Sequence, residues 1–188
     1  MTYSTLKRLW IALLFSMTIT AVHAAPLVEM TVASRGKVQI ELYTKEAPKT
    51  TARFLDLCKS RFYNGILVHR MVPGFVVQAG DPKTKEITPS VMAAMSDEES
   101  SRRMIGVGGS GKNIPFERNR LTHEVGTLAM ALSGPQTDTA DSQWFINLVP
   151  NHRLDGDYCV FGKVTKGMDV VRKMQRGDKI IALRQIKK

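Results

Sequence analysis

Two side chains in this sequence are out of keeping with their neighbours. In the run VHRMVPGFVVQAGDP (68–82), Arg70 and Gln78 lie inside otherwise hydrophobic stretches on either side of a Pro73-Gly74 turn. A guanidinium or amide is costly to bury unless it finds a partner. Spacing alone leaves two readings open: an arginine snorkelling from a strand edge with a solvent-facing glutamine, or two polar groups aimed at a ligand. Arginine suits the second task because it stays charged and holds its donors in a rigid plane.

Other candidates for chemistry are sparse. Cys58 and Cys159 are far apart in sequence, with no C-x-x-C and no histidine at zinc spacing, so no zinc site is implied by them. An exported protein could pair them, yet each stands among apolar neighbours, which favours two separate buried thiols. The run GVGGSGKN (106–113) fits both G-x-G-x-x-G and G-x-x-x-x-G-K. Its context is wrong for a nucleotide. Polar SSRRM precedes it where a strand is needed, Asn113 replaces the required Ser or Thr, and Ile114-Pro115 cuts off a following helix. A flexible surface loop is expected.

The elements that must position Arg70 and Gln78 are mostly strands. LVEMTVAS (27–34) and KVQIELYT (37–44) flank an Arg35-Gly36 turn, and Val38, Ile40 and Leu42 alternate with Gln39, Glu41 and Tyr43. Further β-like runs are LVHRMV, FVVQAG, GTLAMAL, QWFINLV, YCVFGKV and the tail KIIALRQIKK. A helix is expected from Ala47-Pro48 to near Asn64-Gly65, with Phe54, Leu57 and Cys58 on its apolar stripe, and a second from Gly167 to Gln175. Many short strands without a βαβ rhythm predict an antiparallel sheet closed as a barrel, in one domain covering 25–188. Residues 81–119 form a long excursion between two strands, within which PSVMAAMSDEESSRRM can form a short helix.

The motif H69-R70-x-x-x-x-F75-x-x-Q78-x-G80 resembles the signature of the cyclophilin-type peptidyl-prolyl cis/trans isomerases. GTLAMA (126–131), SQWFI (142–146) and LDGDYCVFGKVTKGMDVV (154–171) follow in the order of that family, so the likeness runs from about Val28 to Ile186. It implies a mainly β fold, a closed eight-stranded antiparallel barrel capped by two α-helices, and rotamase activity on proline-containing polypeptides with no cofactor or metal. By resemblance Arg70 and Gln78 are catalytic. Phe75, Val76, Met130, Phe145 and Leu154 surround the proline ring, while Gln143, Tyr158 and the main chain of Ala131 and Leu132 border the substrate groove. Any one of the apolar residues, taken singly, reads equally as core. The likeness has departures. Leu132 stands where many members are polar, Tyr158 replaces a histidine as in many bacterial members, and Arg153 takes the place of a tryptophan found in cyclosporin-sensitive ones. A low-turnover chaperone or binding module on the same barrel is the competing reading, and the intact Arg70, Phe75 and Gln78 favour the enzyme.

Charge and the first residues supply an address. Lys7-Arg8, the uncharged run LWIALLFSMTITA (9–21) and Val22-His23-Ala24 are the three sections of a secretory signal peptide, residues 1–24, too short in its apolar part to span a bilayer comfortably. An uncleaved anchor and a buried helix are the alternatives. Cleavage removes Lys7 and Arg8, the only charged residues before Ala25, and takes the net charge from +10 to +8. The remaining Lys and Arg are scattered, so neither nucleic-acid binding nor stable membrane insertion is expected; a monomer in the periplasm is. Mass spectrometry of envelope-fraction protein should find an N-terminus at Ala25, and recovery of intact Met1 from the cytoplasmic fraction refutes export.

Overall fold

The computed structural model describes residues 25–187; the signal-peptide expectation for 1–24 lies outside them. Eight antiparallel strands form one sheet: β1 (Leu27–Val32), β2 (Gly36–Leu42), β3 (Arg70–Val72), β4 (Val76–Ala79), β5 (Thr127–Met130), β6 (Trp144–Asn147), β7 (Val160–Lys166) and β8 (Ile180–Ile186). Their order across the sheet is β3-β4-β6-β5-β7-β2-β1-β8. The expected closure is not made. β3 and β8 end the sheet as a half-barrel, joined only by the isolated Leu67–Lys179 bridge and neighbouring backbone bonds such as Val68 N–H to the Asp178 carbonyl, 2.9 Å. With three residues, β3 is too short to carry a second ladder.

Strand alternation sorts the side chains into two sets. The concave side holds the main core, including Met30, Ile40, Leu42, Leu128, Met130, Trp144, Ile146 and Phe161. Phe54 of α1 (Pro48–Lys59) packs edge-on against Phe161, with centroids 5.1 Å apart. Each such side chain stabilises the fold by about 1.5–3 kcal/mol. On the opposite face Val76, Ala129, Phe145 and Val160 form a smaller cluster. Cys58 and Cys159 are both buried and unpaired, and burial pushes the Cys159 thiol up to about 11.

α1 ends earlier than its pattern predicts. Arg61 takes a left-handed φ of +58°, and Phe62 N–H turns back to the Leu57 carbonyl (2.9 Å) in a Schellman-type stop. At its other end Ala47 has no side chain able to cap, so the Glu117 carboxylate accepts from the amides of Lys49 (2.9 Å) and Thr50 (2.6 Å). Three further helices are short: α2 (Pro89–Ala94), α3 (Asp97–Arg102) and α4 (Met168–Lys173). α1 and α4 are the two helices expected outside the excursion, and the short helix expected within it is divided into α2 and α3 where Met95 leaves the helical region. Thr88 and Ser96 cap them, accepting from Val91 N–H and Glu99 N–H, and Met92 and Met95 pack on Leu67. Among the described residues no helix is long and apolar enough to cross a membrane.

The glycine run is tied down rather than flexible. Asp81, fully buried, accepts from Gly106 N–H (2.6 Å) and Gly108 N–H (3.2 Å), and Asp141 accepts from Gly111 N–H (2.9 Å). The amides that a phosphate would need are held by the protein's own carboxylates. Any Cβ at Gly108 or Gly109 would overlap the Asp81 or Asp141 carboxylate, respectively.

Two histidines are buried in the fold, His69 beside Gly106 and His123 elsewhere. His69 is 6% exposed, and neither ring nitrogen has a partner among the described residues. Burial pushes it down to about 4, with Asp81 opposing and Arg176 and Arg70 adding to the effect. His123, also buried, is lowered by burial against the pull of Asp155. A free histidine titrates near 6.5, so between that pH and about 4 the unfolded chain holds a proton at residue 69 that the native state refuses. Stability is therefore lost as pH falls through this window, by on the order of 3 kcal/mol from His69 at about 1.4 kcal/mol per pH unit. Urea unfolding at pH 7.5 and 4.5 should show a smaller acid loss in His69→Gln than in wild type; equal losses refute the assignment.

Candidate active site

Strand register gathers the polar and aromatic candidates into one row. Arg70 of β3 lies opposite Gln78 of β4, Gln78 opposite Phe145 of β6, Phe145 opposite Ala129 of β5, and Ala129 opposite Val160 of β7. Directly paired residues share a face of the sheet, so Arg70, Gln78 and Phe145 stand side by side on the convex face. The Pro73-Gly74 turn returns the chain for this pairing, with Gly74 at φ +69° and Phe75 N–H bonded to the Val72 carbonyl (3.0 Å).

A cavity of about 210 Å³ opens over this row. Arg70 and Gln78 supply its polar wall; Phe75, Val76, Phe145 and Leu154 supply apolar ones, and Ala131, Leu132 and Tyr158 complete it. Nine of the expected residues thus meet at one place. Gln143 borders the neighbouring groove beside the glycine run instead, but reaches the site through a bond from Gln78 Nε2 to its Oε1 (3.0 Å). Met130 does not join them. It is paired with Trp144, on the alternate face from Phe145, and its side chain is 1% exposed in the main core.

Each wall is held from behind. Gln143 Nε2 donates to the Gly108 carbonyl (2.8 Å), which fixes Gln143 and through it the amide of Gln78. The Arg70 guanidinium lies 5.4 Å from the Phe75 centroid and that of Arg153 4.6 Å, two cation–π contacts on one ring. At exposed sites such contacts are worth about 0.5–1 kcal/mol each, enough to bias a mobile side chain. Asn151 Nδ2 donates to the Phe75 carbonyl (3.3 Å) and to Asn147 Oδ1 (2.7 Å), securing the loop that carries Leu154.

His123 is a supporting residue that sequence inspection missed. Its ring stacks on Phe145, with centroids 5.9 Å apart and planes 14° from parallel, while Tyr158 meets Phe145 edge-on. Asp155 accepts from the His123 backbone N–H (2.8 Å) and contacts Nδ1 (3.0 Å). Burial opposes ionisation of Asp155, but these bonds and one to His152 hold its carboxyl below the usual range. No period or motif marks His123 before its partners are seen; it stands just outside β5 in a polar run.

Chemically, the site offers one charged planar donor, one amide with a second N–H to give, and an aromatic socket. It has no nucleophile poised by a base. Among the described residues no group of three or more His, Cys, Asp or Glu is arranged to hold a metal ion.

The chain is similar to known proteins. The family model for cyclophilin type peptidyl-prolyl cis-trans isomerase/CLD matches residues 27–186. The chain is 39% identical over 144 residues to peptidyl-prolyl cis-trans isomerase B of Bacillus subtilis, covering 76% of this chain and 85% of that one. It is 37% identical over 142 residues to peptidyl-prolyl cis-trans isomerase ppi1 of Schizosaccharomyces pombe, covering 75% and 80%. A crystal structure of a Cryptosporidium parvum cyclophilin type peptidyl-prolyl cis-trans isomerase has the same fold, at TM-score 0.71 and 24% identity, covering 87% of this chain and 99% of that one. With the family model spanning almost the whole described chain, this protein belongs to the cyclophilin-type peptidyl-prolyl cis-trans isomerase family.

Proposed function

We propose that Arg70 and Gln78 catalyse the rotation of X-Pro bonds in exported client proteins, with the ring of the proline seated against Phe75 and Phe145. The isomerase activity itself comes with family membership. The observation that supports these residue roles is the side-by-side placement of Arg70 and Gln78 at the rim of the aromatic cavity.

The X-Pro bond resists rotation by roughly 18–20 kcal/mol because its nitrogen lone pair is delocalised into the carbonyl. In the twisted state the nitrogen recovers that lone pair and becomes an acceptor. A guanidinium aimed at it interacts more strongly with the twisted amide than with either planar form, which is the requirement for catalysis. Phe75 stacks under Arg70 and so limits its excursions. Gln78 has one Nε2 hydrogen committed to Gln143 and a second available for the carbonyl of the substrate. Holding that carbonyl while the socket holds the ring confines rotation to the bond between them. Phe145, 6% exposed and backed by His123, provides a rigid floor; Leu154 and Tyr158 flank it. The Ala131 N–H is already given to the Gln143 carbonyl (3.0 Å), so its own carbonyl and the Leu132 main chain are the groups that pair with an extended substrate.

A structural neighbour from Cryptosporidium parvum was crystallised in the presence of the dipeptide Ala-Pro, which supports a proline-containing ligand for the shared fold. The signal-peptide pattern in residues 1–24 supports a bacterial, periplasmic enzyme that acts on proteins folding after export; we propose that it works as a monomer. Arg70→Ala should lower kcat/KM on a short X-Pro peptide by about 100-fold or more, the scale of losing one transition-state donor, while the urea midpoint stays close to wild type. Wild-type turnover in the folded variant refutes the role of Arg70.

A further inference from the structure

Arg70 and Gln78 line a second cavity as well, of about 450 Å³, between β3 and the helix α3 of the excursion. Its chemistry differs from that of the proline socket. His69 lines it with both ring nitrogens unpartnered, 94% shielded by a 6% exposure. Arg176 enters from the loop after α4, and its Nε–H has no partner either. The other end of that guanidinium donates to Ser100 Oγ and pairs with Asp97 (2.9 Å). Asp97 is 101% exposed, so it is a weakly held counter-ion at the mouth of the cavity. Two guanidiniums, one of them with an idle Nε–H, and a buried imidazole N–H thus line the cavity together with a single carboxylate that is itself in solvent.

Buried donors without acceptors are costly, and the ligand that relieves them is an anion with more than one oxygen. Because Arg70 and Gln78 wall both cavities, an occupant of this one lies within a residue or two of a proline in the socket, at 3.8 Å per Cα step. We infer that the cavity is a subsite for the carboxylate of an Asp or Glu close to the proline, with Arg176 as its specificity-determining residue. The inference rests on the assignment of the proline to the Phe75–Phe145 socket. The client carboxylate displaces Asp97 from Arg176 and takes the idle Nε–H, with Arg70 as the second cation.

The test is a series of short X-Pro peptides carrying Glu or its isostere Gln at each position within two residues of the proline. At the best position wild type should favour Glu over Gln by roughly fivefold in kcat/KM, through KM, as expected for a partly exposed charge pair. Arg176→Gln should bring the ratio to about one. Asp97→Asn, a change at a fully exposed side chain, should raise it by removing the competing carboxylate. A ratio of one at every position in wild type, a ratio that survives Arg176→Gln, or one unmoved in Asp97→Asn overturns the subsite while the isomerase assignment stands. Failure of wild type to turn over the Gln peptides overturns the socket assignment, and the subsite with it.

Discussion

The site depends on one cross-strand register. Arg70, Gln78, Phe145, Ala129 and Val160 come from five different strands and have no sequence proximity beyond the hairpin, yet pairing sets them in a single line. Sliding β6 by one residue against β4 would exchange Phe145 for Trp144 or Ile146 and bring a core residue out to the solvent face. The concave core resists that slip, because Trp144 and Ile146 are fully buried there. Packing on one face thus holds the chemistry on the other, and neither face is separable from the register that joins them.

Much of this was legible in the sequence because period-2 alternation carries it. Seven of the eight strands fall where the apolar runs predict with only their ends moved, and the Arg-Gln pair stood out as polar residues in apolar company. LVHRMV is the exception, since only its last three residues enter the ladder. What alternation cannot give is which face a given residue takes when a strand is buried on both sides. β5 reads as four buried residues, so Met130 and Ala129 look equivalent until the pairing with Trp144 and Phe145 separates them. Closure failed for a different reason: the six-residue run LVHRMV promised a full strand, but the chain at 65–68 bonds across to 177–180 irregularly before entering β3. His123 and Arg176 were invisible because their importance lies in what they touch.

The glycine run shows how context reverses a motif. Backbone amides exposed by small residues are anion receptors wherever they occur. Here the anions are Asp81 and Asp141, delivered by the same fold, and Arg53 balances the second of them (3.2 Å). Gln143 then takes the Gly108 carbonyl, so the loop that resembled a nucleotide site helps to hold Gln78 at the rim of the aromatic cavity.

Asp81 has a further consequence. It is the first residue of the excursion, and its carboxylate receives the amide of Gly106, just beyond the end of α3. The first part of the excursion, from Pro82 to Ile105, is thereby closed at its base within one side chain's length, a ring that leans on the half-barrel through Met92 and Met95 on Leu67. Loop closure depends only weakly on the number of residues enclosed, each doubling adding about 0.6 kcal/mol. A change in the number of residues inside the ring therefore carries a small entropic cost while the staple stays, and it reshapes what lies beside the Arg70–Gln78 row without disturbing the sheet that carries it.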